Sequence, residues 1–131
     1  MLADDPKLNA LTGAILGAAI EVHRVLGPGL LESIYLACFR IELGLRRLRF
    51  IEQTSVPVVY KDIRLNAAYR IDLTVEDQVI VEVKAVDTLL PVHQSQVVTY
   101  LKVTGYRAGL LINFNSVRLK DGVRRVLAPK P

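Results

Sequence analysis

The chain has 131 residues, 51% of them hydrophobic and 23% charged, with 17 Lys and Arg against 13 Asp and Glu for a net charge of +4. That length matches one domain, and the apolar content excludes an intrinsically disordered chain. Its one cysteine, Cys38, excludes an intrachain disulfide and a cysteine-based zinc cluster, and no apolar run reaches the roughly 18 residues of a membrane span.

The N-terminal Met-Leu-Ala-Asp-Asp has no positive region, so no signal peptide is expected and a reducing cytoplasm is the expected compartment. In chain order, Leu11, Ile15, Ala18, Val22 and Val25 recur at the spacing of one helix face. Gly27-Pro28-Gly29 stops that helix. Leu31, Ile34, Cys38, Ile41 and Leu45 predict the buried stripe of a second helix, with Gly44 near its end. A helical hairpin over about 8–46 follows, in which Gly13, Ala14, Gly17, Ala18 and Ala19 would allow close approach of a second copy.

After Arg49 the texture becomes that of strands. Phe50 to Tyr60 is rich in β-branched residues, and Pro57 implies an edge or a bulge. Tyr69 to Val75 and Val79 to Lys84 alternate with a period of two. Residues 92–104 return to a helical pattern that Gly105 ends. Ala108 to Ile112 is a continuous apolar run, as in a strand buried on both faces. A last strand or turn lies between Ser116 and Leu127. The order α, α, β, β, β, α, β with a basic tail predicts one α/β domain, its mixed sheet and helix core spanning about 49–127.

Charge is unevenly spread. Residues 1–100 hold ten Lys and Arg and twelve Asp and Glu, a net of −2. Residues 101–131 hold seven basic residues and one acid, Asp121, a net of +6. Arg40, Arg46, Arg47 and Arg49 form a second basic cluster. Such patches suit phosphates or other acidic partners.

Three charged residues sit where a sheet would bury them. Glu82 and Lys84 share one face of the apolar strand Val79 to Val86, and Asp72 interrupts the strand before it. A buried charge is costly unless it is paired or binds a metal. If the two strands form a hairpin, Asp72 lies opposite Glu82 only when Val75 faces Val79 across the loop Glu76-Asp77-Gln78. A two-residue loop would turn the carboxylates to opposite sides. Two adjacent carboxylates invite a hard divalent cation such as Mg²⁺, and a plain ion pair with Lys84 is the alternative. His23 and His93 have no sequence partner for a zinc site or a triad and read as structural or surface residues, with His93 one helix turn from Gln96.

Asp72 followed by Glu82-Val83-Lys84, a helix and a strand resembles the core of the PD-(D/E)XK nuclease superfamily. Gln96 and Tyr100 resemble the QxxxY motif of its RecB-like branch. Gly29-Leu30-Leu31-Glu32-Ser33-Ile34-Tyr35 is similar to the pattern of the GxxExxY family, and Gly109 to Phe114 is similar to that family's last core strand. The resemblance covers about residues 10–126 and implies a restriction-endonuclease-like fold. It implies Asp72, Glu82 and Glu32 as metal ligands together with the Val83 carbonyl, and Lys84 to position or activate the attacking water. Gln96 and Tyr100 would brace the site or contact the substrate backbone. It also implies a Mg²⁺-dependent (or Mn²⁺-dependent) nuclease acting on nucleic acid, DNA ahead of RNA, with weak sequence specificity, and a homodimer through the N-terminal helices. The competing function is a non-catalytic nucleic-acid or protein binding module on the same fold.

Overall fold

The computed structural model describes residues 5–128. Helices α1 (Pro6–Leu26) and α2 (Glu32–Leu45) come first. Strands β1 (Phe50–Tyr60), β2 (Ile63–Val75) and β3 (Val79–Lys84) follow, then helix α3 (Pro91–Thr104) and strands β4 (Ala108–Asn113) and β5 (Val123–Leu127). The five strands form one sheet in the order β1-β2-β3-β4-β5. β3 and β4 are parallel, joined across α3, and the other pairs are antiparallel. The tail region thus supplies a fifth strand, led in by a short 3₁₀ turn, Leu119–Gly122.

The sheet is buried on both faces, as its apolar central strands require. α1 and α2 cover one face, packing Ile15, Ala18, Tyr35, Phe39 and Leu43 against Leu73, Val75, Val81, Val83, Leu110 and Ile112. α3 covers the other, packing Val97, Tyr100 and Leu101 against Ile71, Ile80, Leu111 and Val126. Asp5 caps α1, its carboxylate accepting the Leu8 N–H at 3.0 Å ahead of Pro6.

Three expectations are corrected here. The buried stripe of α2 is Tyr35, Phe39 and Leu43, while Leu31, Ile34, Ile41 and Leu45 are exposed and Cys38 is half-buried. The aromatic residues decide the helix rotation. Tyr35 stacks on Phe114 at 4.9 Å and Phe39 meets its edge at 5.9 Å. Burying each ring outweighs leaving a Leu or Ile at the surface. On α1, Val25 is exposed, and Ala18 and Ala19 are buried within the chain's own core, so they are not available to a second copy. Finally, the Arg40–Arg49 cluster is largely neutralised: Arg40 pairs with Glu52, Arg46 with Glu42 and Arg49 with Glu76.

Candidate functional site

The β2–β3 hairpin has the register that brings the acids together. Val75 pairs with Val79, Thr74 with Ile80 and Leu73 with Val81, leaving Glu76, Asp77 and Gln78 as a three-residue loop. Glu76 and Asp77 adopt left-handed conformations, at φ 53° and 55°. Asp72 and Glu82 fall next in line, where the regular ladder stops.

The ladder stops because both carboxylates take over its hydrogen bonds. Glu82 Oε1 accepts the Asp72 N–H at 2.9 Å, and Asp72 Oδ2 accepts the Val83 N–H at 2.9 Å. These bonds leave one oxygen on each carboxyl group without a backbone donor. Strand β2 is kinked at this point. Ile71 packs under α3 while Leu73, two residues on, packs under α1 and α2. In a regular strand both would share a face. The opposing residue of β1, Gln53, has φ 53° and is skipped in the pairing between Glu52–Leu73 and Thr54–Ile71. The distortion frees the Asp72 N–H to turn toward Glu82.

The Val83 carbonyl faces the same side. Phe114 donates its N–H to the Lys84 carbonyl at 2.9 Å, so Lys84 turns its carbonyl toward β4. Successive peptide groups alternate, so the N–H and C=O of Val83 point toward β2. The Val83 carbonyl therefore points from β3 toward the strand that carries Asp72, and the two carboxylates beside it are hard oxygen donors of the kind a divalent cation takes.

The electrostatics carry the cost of this arrangement. Glu82 is only 4% exposed. Burial first, and the neighbouring Asp72 charge second, push its pKa up to about 8. Burial also raises Asp72, against the Val83 N–H and the Lys84 charge, which lower it. With its pKa raised to about 8, Glu82 keeps at neutral pH a proton that a cation would displace. Tyr100, beneath the site, is pushed up to about 12 by burial and then by the charges of Glu82, Asp72 and Tyr69. Its hydroxyl remains a donor at any ordinary pH. Its ring meets Tyr69 edge-on at 5.6 Å, joining α3 to β2 beside Asp72.

Beside Lys84 opens a groove of about 490 Å³ lined also by Val92, His93, Ser95, Gln96 and Thr99. Gln96 is exposed to it from α3, one turn before buried Tyr100. His93 Nδ1 accepts the Leu90 N–H at 3.0 Å at the start of α3, so the neutral ring carries its proton on Nε2. His23 Nε2 bonds the Ser116 carbonyl at 2.7 Å and is structural.

The site therefore gathers Asp72, Glu82, Val83 and Lys84, with Gln96 and Tyr100 against them. Glu32 is not gathered. It stands exposed at the head of α2, which covers the sheet face opposite the groove. Among the described residues no group of three His, Cys, Asp or Glu is placed to hold a metal. Sequence reasoning missed Asn113. It lies level with Lys84 in the β3–β4 register. Buried at the end of β4, it accepts the Val86 N–H at 3.0 Å and donates to the Val86 carbonyl at 2.8 Å, fixing the chain just after Lys84. A lone amide ending the apolar run Leu110-Leu111-Ile112 was the available signal.

A family model described as the PD-(D/E)XK nuclease superfamily matches residues 9–126. The chain belongs to the PD-(D/E)XK nuclease superfamily. Its mixed five-stranded sheet with helices on both faces agrees with the restriction-endonuclease-like core of that superfamily. No curated protein and no solved structure matches the chain. Among the described residues no helix is long and apolar enough to cross a membrane. The PD-(D/E)XK assignment gives the Asp72–Glu82 pair its chemical context: nuclease activity on nucleic acid, with a divalent metal the usual aid.

Proposed function

We propose that the protein is a Mg²⁺-dependent nuclease, active also with Mn²⁺, that hydrolyses phosphodiester bonds of DNA at the Asp72–Glu82 pair. The observation that carries this reading is the reciprocal hydrogen bonding of buried Glu82 and half-buried Asp72, each anchored by the other strand's backbone. A binding module has no use for two like charges placed together in a sheet. In this reading Asp72, Glu82 and the Val83 carbonyl hold the cation. The bound cation would supply Lewis acidity and a water of lowered pKa.

The chain's own groups do the remainder. Lys84, on the same strand face as Glu82, orients the attacking water and offsets charge developing on phosphorus oxygens. Tyr100, protonated and buried beneath the carboxylates, would support the floor of the site. Gln96 and the Nε2–H of His93 offer donors to a phosphate lying in the groove. Lys102, Arg118, Lys120 and Arg124, with no acid paired to them among the described residues, would hold the nucleic-acid backbone nonspecifically.

The GxxExxY pattern supports placement in the GxxExxY family of that superfamily. Gly29 has φ 100°, which suits glycine. The Tyr35 hydroxyl donates to the Gly27 carbonyl at 2.5 Å and accepts the Leu30 N–H at 3.1 Å, clamping the turn. Glycine and tyrosine thus have structural duties. Glu32 has no hydrogen bond or ion pair among the described residues and stands outside the site, so in this reading it is not a metal ligand.

The test is cleavage of a panel of duplex, single-stranded, flapped and branched DNA and RNA with Mg²⁺ or Mn²⁺. Glu82→Ala and Lys84→Ala variants control for contaminants. The reading expects cutting by the parent protein and a loss of ~100-fold or more in each variant. Cutting that persists in both variants, or binding with no cutting under either metal, refutes it.

A further inference from the structure

We propose that the outer half of the β1–β2 hairpin is a binding arm that enters the groove of a duplex, so that the substrate of the site is double-stranded nucleic acid. This rests on the nuclease reading and adds the form of the substrate.

Among the described residues the arm is the longest unbroken stretch of the sheet left bare. Residues from Val59 to Ala68 are all exposed, on both faces of the ribbon. No helix covers them. Where the hairpin enters the body, Val56 and Tyr69 pack beneath α3. Beyond them the ribbon runs on over four residues of β1 and six of β2, the register shift taking up the difference, and reaches about 13 Å along β1 at 3.3 Å per residue. The tip is a two-residue turn, with Tyr60 paired to Ile63 and Lys61 and Asp62 both left-handed. A two-stranded ribbon fits the major groove of a duplex, which is about 12 Å wide and 8.5 Å deep.

Position ties the arm to the chemistry. β3 ends at Lys84. β2 and β3 are antiparallel and pair only from Val75–Val79 to Leu73–Val81, and β2 runs on beyond Asp72 toward the tip, past the end of β3. The arm therefore projects beyond the end of the sheet at which the groove beside Lys84 opens. It is also a continuation of the strand that carries Asp72. A duplex held by the arm would be held at a fixed distance from the carboxylate pair.

Its chemistry suits phosphates. Lys61, Arg64 and Arg70 are exposed and have no ion-pair partner among the described residues, unlike Arg40, Arg46 and Arg49. Asp62 is the arm's one acid. Tyr60 sits beside Lys61, whose ammonium lies 5.5 Å from the ring centre. The alternative occupant is a second copy pairing through the β1 edge. That edge is broken by the left-handed Gln53, by Pro57 with no N–H and by the register shift between Pro57 and Val59. Such features prevent edge-to-edge pairing.

The experiment is binding in metal-free buffer, by fluorescence anisotropy, to a duplex of about 20 base pairs (two turns) and to one of its strands, across a salt series. Lys61→Glu/Arg64→Glu is compared with Lys7→Glu/Arg24→Glu, an equal change of charge on α1. The proposal expects the arm variant to lose ~10-fold or more in duplex affinity, with a salt slope smaller by about 2. Its preference for duplex over single strand should fall while the α1 variant keeps that preference. Equal losses in both variants overturn the proposal, because net charge alone would explain them. A parent protein that prefers or cuts only single strands overturns it and leaves the nuclease reading standing. A parent that neither binds nor cuts any form defeats both. A dimer in sedimentation that Val59→Ser/Ile63→Ser abolishes, with duplex binding unchanged, assigns the arm to a second copy and also overturns it.

Discussion

Replacing Glu82 by Gln should flatten the dependence of stability on pH. In the folded chain the Glu82 pKa is about 8, against an ordinary 4.5. A pKa raised by folding means that the folded state binds the proton more tightly. The resulting stabilisation is complete below about pH 4.5 and is lost as pH rises to 8. Each unit of difference corresponds to about 1.36 kcal/mol, so the metal-free protein should lose roughly 3–4 kcal/mol between pH 5 and pH 9 through this carboxyl group. Glu82 is nearly fully buried, so solvent screening offsets little of this. For a domain of this size the loss lowers the melting temperature by on the order of 10 °C. The Gln variant keeps an oxygen to accept the Asp72 N–H but cannot ionise. Thermal unfolding with EDTA at pH 5, 7 and 9 should show the fall in the parent and little of it in the variant. Added Mn²⁺ at pH 9 should restore the parent's melting temperature and not the variant's. Matching pH profiles in the two proteins would refute the reasoning.

Other substitutions test the supports of the site. Tyr35→Phe removes the hydroxyl that clamps the Gly27–Leu30 turn and should cost about 1–3 kcal/mol by denaturant unfolding, with the Phe114 stacking kept. Asn113→Ala leaves the Val86 N–H and carbonyl without that partner and should cost about 2–4 kcal/mol, lowering the turnover rate more than the Michaelis constant because Lys84 loses its support. Gly109→Ala would press a methyl group into the Val97 side chain, forcing α3 off β4, and should destabilise by about 1–3 kcal/mol in the same assay.

Much of the fold was legible because strand parity is strict. The three-residue loop Glu76-Asp77-Gln78 followed from requiring two carboxylates on one face, and the register has that form. What parity could not show was the kink. Ile71 and Leu73 read as one face, yet they lie on opposite faces because Gln53 across the ladder is left-handed. The rotation of α2 was misread for a different reason. Its aliphatic residues recur at helical spacing, but the stripe that is buried is the one Phe114 selects, and Phe114 is distant in sequence. The basic cluster of arginines failed likewise, since Glu52 and Glu76 approach it only in three dimensions. In the outer half of β2 the alternation of Ile63, Leu65 and Ala67 with Arg64 and Asn66 marks a strand but no core, since no face of it is buried. Asp72, Glu82 and Lys84 were legible because a charge inside an apolar strand demands an explanation that local sequence can supply. Glu32 was not placed with them, since α2 docks on the other face of the sheet.

The most direct test of the central claim is calorimetric titration of the metal-free protein with Mn²⁺ at pH 7, in two buffers of different ionisation enthalpy. One saturable site is expected, with about one proton released per cation as the Glu82 proton leaves. Asp72→Asn and Glu82→Gln should each abolish the site. Unchanged binding in those variants, or binding by the parent with no proton released, would contradict a cation held by this pair.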